Sequence, residues 1–137
     1  MVTKTAEINL RTKGSLDMIN ITHDVERLVK ESGIRNGIAL VFVPGATGSI
    51  VTIEDEEGLI EDFKKIISEL IPQRAGYLHN RIDNNAVSHL RATTLGSDRA
   101  FPVVDSRLVR GTWQNIFFVE LDLRPRNRRV VVQIVGD

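Results

Sequence analysis

Residues 100–135 read AFPVVDSRLVRGTWQNIFFVELDLRPRNRRVVVQIV, and this stretch decides the fold class. Ala100 to Val104, Arg107 to Arg110, Trp113 to Leu121 and Arg129 to Val135 are rich in β-branched or aromatic residues, as strands are. Asp105-Ser106 and Asn127 supply turn chemistry between them. The last third therefore predicts an antiparallel β meander. Upstream, helices and strands mix. Thr5 to Leu10 alternates polar and apolar residues, the pattern of a half-buried strand. Thr22 is the expected N-cap of a helix carrying Val25, Leu28 and Val29 on one face, with Gly33 as its stop. Gly37 to Val43 (GIALVFV) is an unbroken apolar run, which predicts a strand covered on both faces. Pro44-Gly45 ends it, and Ser49 to Ile53 is a second short strand. Leu59, Ile60, Phe63, Ile66, Ile67, Leu70 and Ile71 form one helical face, closed by Pro72. Asp83 is placed to cap a last helix through Ala86, Leu90 and Thr94, ending at Gly96. The sum is α+β, with about three helices.

The 137 residues fit one domain spanning 1–137, with no repeat, linker or low-complexity tract. Eighteen Lys+Arg balance eighteen Asp+Glu. Zero net charge removes the long-range field of a general nucleic-acid or anionic-membrane binder. No cysteine is present, which excludes disulfides, thiol catalysis and cysteine-ligated zinc. The longest apolar run falls far short of a membrane span, and MVTKTAEINL has no apolar leader core. The expectation is a cytoplasmic protein with no membrane partner.

Histidine chemistry rests on His23, His79 and His89. Asn85 and His89 are four apart and share a helix face. They read either as an N-cap beside a surface histidine or as a site. His79, next to Arg81, can join His89 to move a proton or hold a metal. A zinc site needs a third protein ligand, and Glu54, Asp55 and Glu56 are available. Glu54 directly follows a strand, whereas most of the acidic run through Asp62 complements a helix dipole. Pro44 to Ser49 (PGATGS) joins two strands. It reads as an ordinary connection or as a loop whose N–H groups meet a phosphate. It lacks the ending of a P-loop. Arg124, Arg126, Arg128 and Arg129 form a basic turn suited to a phosphate or carboxylate, or to solvent. RNA binding ranks last on a neutral protein. Trp113, after Gly111-Thr112, is the one tryptophan, a residue usually found in a core or interface.

The combination H…N…H, then L-G…P-V-V-D…G-T-W-Q and R-P-R-x-R-R-V-V-V-Q-I-x-G, closely resembles the YjbQ-like family, the secondary thiamine-phosphate synthases. Ile21-Thr22, Ser32 to Ile34 and the V-F-V-P before Gly45 extend the resemblance over nearly the whole chain. It implies a compact antiparallel β-sandwich or barrel-like core and a homotrimer with sites near subunit interfaces. It also implies an activity, the joining of a hydroxymethylpyrimidine diphosphate to a thiazole phosphate. Carried over, the catalytic candidates are His79, His89, Asn85 and Glu54. The substrate-binding candidates are Gly45, Thr47, Ser49, Arg81, Trp113 and Gln114. His79 and His89 are the candidate ligands of a divalent metal, zinc or magnesium. Two positions depart from the pattern: Gly45 and Val87 stand where many members carry histidine. The alternative expectation is a non-catalytic trimeric protein that binds a phosphorylated metabolite or metal.

Overall fold

The computed structural model describes residues 1–137. In chain order the elements are β1 (Val2–Arg11), β2 (Met18–Asn20), α1 (Thr22–Glu31), β3 (Gly37–Phe42), β4 (Gly48–Ile53) and α2 (Glu57–Leu70). A 3-10 turn (Leu78–Arg81) then leads to α3 (Ala86–Leu95), β5 (Asp98–Val104), β6 (Arg107–Leu108), β7 (Asn115–Glu120) and β8 (Asn127–Gly136). The expected α+β class holds, with three α-helices.

All strand pairs are antiparallel. One sheet has the order β1-β8-β3-β5-β6 and the other β2-β7-β4. β8 pairs on both sides, with β1 along its whole length and with β3 from Val131 to Gly136. Asp105 and Ser106 both take positive φ, the geometry of a tight hairpin turn between β5 and β6.

The main core lies between the sheets. Val130, Val132 and Ile134 of β8, Ala39 and Val41 of β3 and Phe101 and Val103 of β5 meet Ile50, Ile116 and Phe118 of the smaller sheet. Val25 and Val29 of α1 complete it. The other face of the small sheet carries Val51, Phe117 and Val119, which pack with Ala92 of α3 and Ile60 of α2. The sandwich-like core is therefore backed by two helices on one side only.

Three local expectations are corrected. Thr22 is not the N-cap of α1 but its first helical residue. Its hydroxyl donates to Asn20 Oδ1 and accepts from the Ile116 N–H, tying the helix to β7. α3 begins at Ala86, not after Asp83. The Ala86 N–H is taken by Asn80 Oδ1 at 3.1 Å, while the Asp83 carboxylate accepts from the adjacent Asn84 N–H. β3 is covered on one face, not two: Ala39, Val41 and, just beyond the strand, Val43 are fully buried, but Ile38, Leu40 and Phe42 are 59%, 36% and 37% exposed. Across the strands this outer face continues through Pro102 and Val135.

Candidate functional site

The 3-10 turn and α3 form a small helical corner. Asn85 occupies the N-cap position of α3 but gives the helix no side-chain cap. Its Oδ1 lies instead 3.2 Å from His79 Nε2, a geometry that favours the N–H tautomer at that nitrogen. His79 and His89 meet edge to face, ring centroids 5.1 Å apart. The two histidines and the asparagine therefore form one constellation. Both rings line an apolar recess of about 300 Å³ with Tyr77, Leu78, Ala86 and Leu90.

His89 also lines a second, open cavity of about 490 Å³. Its other walls include Gly45, Ala46 and Gly48 from the β3–β4 loop and Thr93, Gly96 and Ser97 from the end of α3. The loop thus faces the histidine corner. Thr47 and Ser49 do not reach that cavity with free hydroxyls. Ser49 is fully buried and donates to the Gly96 carbonyl at 2.5 Å, and Thr47 is buried with its Oγ1 accepting from Arg128. Both position the loop.

The remaining candidates lie elsewhere. Arg81 ends the 3-10 turn, exposed. Gly48 pairs with Glu120 at one end of the β4–β7 ladder, and Ile53 pairs with Asn115 at the other. Five residues of strand span roughly 17 Å. Glu54, Trp113 and Gln114 sit at that far end. Trp113 is 68% exposed, and Gln114 Oε1 accepts from the Gly111 N–H at 2.6 Å. His23 is exposed on α1, close only to Glu26. Of the two positions where the family pattern has histidine, Val87 is fully buried while Gly45 lies on the cavity wall.

No group of three or more His, Cys, Asp or Glu side chains converges in the chain. His79 and His89 supply two of the three protein ligands that a catalytic zinc commonly takes, so the residues of one chain do not by themselves make such a site.

One cluster escaped the sequence reading. Glu120, fully buried, pairs with Arg128, whose side chain is 6% exposed. Arg128 Nε donates to Glu120 Oε1 at 2.9 Å, and Nη2 donates to Glu120 Oε2 at 2.5 Å and to Thr47 Oγ1 at 2.8 Å. Thr12 donates to the same carboxylate at 2.8 Å. Beside it, burial pushes the Asp122 carboxyl up. The Leu123 N–H and the Arg126 and Arg128 guanidiniums outweigh that and hold it below the usual carboxylate range. The signal in the sequence was an acid, Glu120, directly after IFFV in an apolar strand.

A small two-sheet α+β domain with a paired-histidine corner beside a glycine loop is the class these features define. The UPF0047 YjbQ-like family model matches residues 6–137. The chain belongs to that family. It is 46% identical to a UPF0047 protein of Methanothermobacter thermautotrophicus, over 96% of this chain and 92% of that one. It is 43% identical to another from Archaeoglobus fulgidus, over 93% and 98%. Among solved structures it resembles a YbjQ-like protein of unknown function from Sulfolobus solfataricus, with TM-score 0.91, 43% identity and coverage of 99% and 100%. A hypothetical protein from Aeropyrum pernix superposes with TM-score 0.92, at 37% identity over 98% and 99%.

Proposed function

We propose that the His79–His89–Asn85 corner and the facing Gly45 loop form a small-molecule site for a phosphorylated substrate, in an enzyme of the thiamine-phosphate synthase type. The observation that carries the reading is the meeting of the two imidazoles at 5.1 Å with Asn85 on His79. In the coupling, the thiazole nitrogen bonds to the pyrimidine methylene carbon as the carbon–oxygen bond to diphosphate breaks. Pyrophosphate leaves with the electron pair. The protein needs no nucleophile. It must hold the two reactants and neutralise the leaving group, by loop N–H groups and by a proton from an imidazole. A zinc ion on His79 and His89 would need a further ligand from a second copy of the chain, whereas magnesium, which takes oxygen ligands, would come with the diphosphate.

The functional unit in this reading is a homotrimer. Support comes from the open apolar face of β3 and from the distance between the histidine corner and Glu54, Trp113 and Gln114, which a neighbouring copy can bridge. A second reading is a binding protein without turnover, favoured by Gly45 and the buried Val87 standing where the family pattern has histidine.

The test is to assay pyrophosphate release from the two substrates with wild type, His79→Ala and His89→Ala, and to follow folding by circular dichroism. Loss of a catalytic proton donor lowers the rate by about a hundredfold or more with the fold intact. Full activity in both variants would falsify the site. Wild type that binds the phosphorylated substrates but releases no pyrophosphate decides for the second reading.

A further inference from the structure

Arginine carries five N–H donors in a fixed fork. In Arg128, Nε and Nη2 are held by Glu120 and Thr47, and the guanidinium lies 5.8 Å over the Phe118 ring. Nη1 makes no hydrogen bond to the protein, although the side chain is more than nine-tenths buried. It points toward Gly45, where a Cβ would come within 3.3 Å of it. Gly45 has φ +124° and no side chain, so the loop leaves this donor uncovered. The N–H groups of Gly45 and Ala46, both exposed, also donate to nothing in the chain. Arg128 and Gly45 border an open cavity of about 530 Å³ on the β8 side of the loop, walled also by Asn9, Arg126 and Arg129, while Ala46, the next residue, lines the His89 cavity. Arg126 and Arg129 are each paired through Nη1 alone, with Asp122 and Glu7, on partly exposed side chains, so Arg128 is the one buried guanidinium that brings a free donor to this cavity.

We infer that Arg128 Nη1 and the Gly45–Ala46 backbone form a phosphoryl-binding subsite, separate from the histidine corner. A guanidinium edge fixed by Glu120 and open to the cavity, beside free backbone donors, suits a tetrahedral oxyanion, which accepts from several directions at once. Gly45 lines this cavity and the His89 cavity alike, so a phosphoryl group held here leaves the rest of its molecule directed over the loop toward His89. Arg128 is then a binding residue, and Glu120 positions it. The subsite extends the phosphorylated-substrate reading but does not depend on the histidines.

The experiment titrates inorganic phosphate into the full-length protein and follows the Gly45 and Ala46 amides and the Arg128 Nε–H by NMR. Acetate and chloride at equal ionic strength serve as comparisons. Saturable shifts at those three groups with phosphate alone are expected. Gly45→Ala should weaken phosphate binding about tenfold or more, since it crowds a charged donor. His79→Ala and His89→Ala should keep phosphate affinity within about twofold, because neither touches that donor. Should Gly45→Ala fail to fold, the wild-type shifts decide alone. The subsite is overturned by any of four results: no saturable shift, equal shifts with acetate, undiminished binding in a folded Gly45→Ala, or loss of phosphate on removing His89. Loss of turnover in the histidine variants with phosphate binding retained separates this subsite from the catalytic reading.

Discussion

Glu120 is a fully buried carboxylate at the end of a strand whose other residues are almost all apolar. Such a group is tolerated because its oxygens receive Arg128, Thr12 and the Asp122 N–H. Removing one partner of a buried ion pair strands the other. Glu120→Leu should therefore cost about 3–5 kcal/mol in urea unfolding, and the double variant Glu120→Leu/Arg128→Met distinctly less. Asp122 makes a second prediction. Its carboxyl titrates lower in the folded protein than in the unfolded chain, so its stabilisation is complete above the unfolded value, about pH 3.9, and fades as pH falls through the lower folded value. Urea midpoints of wild type and Asp122→Asn should differ at neutral pH and converge in acid below about pH 4. A gap that stays constant down to the acid limit would remove this account. None of this was legible in residue types alone. RPRNRR announces a basic turn, but only the Glu120–Arg128 ion pair between the two sheets shows that Arg128 turns inward while Arg129 reaches Glu7 on the surface.

At the scale of elements, the histidine corner depends on how α3 begins. Asn80 takes the first helical N–H, which releases Asn85 for His79. Asn80→Ala should destabilise by about 1 kcal/mol, the cost of a lost cap, and should also loosen the His79–Asn85 contact, visible as altered His79 ring shifts. Asn85→Ala should disturb the same ring with a smaller stability loss, because it does not cap the helix. The helix itself was readable from Ala86, Leu90 and Gly96. Its start was not, since Asp83, Asn84 and Asn85 are all competent caps and local preference does not choose among them. The β3–β8 seam is similar. Gly37 looks like a simple strand start, yet a Cβ there would stand 2.0 Å from the Val135 carbonyl oxygen. Gly37→Ala should cost about 3 kcal/mol through overpacking, measurable by thermal unfolding.

Across the whole molecule, the class and the strand-rich last third were legible because alternation and turn chemistry are local. The two-sheet partition was not, since it rests on pairings between residues more than a hundred positions apart, such as Ile8 with Val130. The unbroken GIALVFV run predicts two covered faces, and a single chain covers one. With the homotrimer proposed above, the expected mass in sedimentation equilibrium is three times 15.3 kDa. Leu40→Glu on the open face should shift it toward one chain while the far-UV spectrum stays unchanged. A wild type that sediments as a single chain at micromolar concentration would leave that face without the neighbour proposed for it. The site candidates divide in the same way. The loop and the histidine corner share a cavity, whereas Glu54, Trp113 and Gln114 lie at the far end of the small sheet.

β8 has a further consequence, for the order in which the protein can be born. Both strands that flank it, β1 and β3, precede it in the chain, β1 by more than a hundred residues. On a ribosome, β1 emerges without its partner and β3 finds only β5, so the edges that meet β8 wait until residues 127–136 have left the exit tunnel. The small sheet lacks only β7 and can assemble sooner, so the nascent chain passes through a stage with one sheet built and the other open. During that interval the apolar strand GIALVFV is a natural target for a holding chaperone.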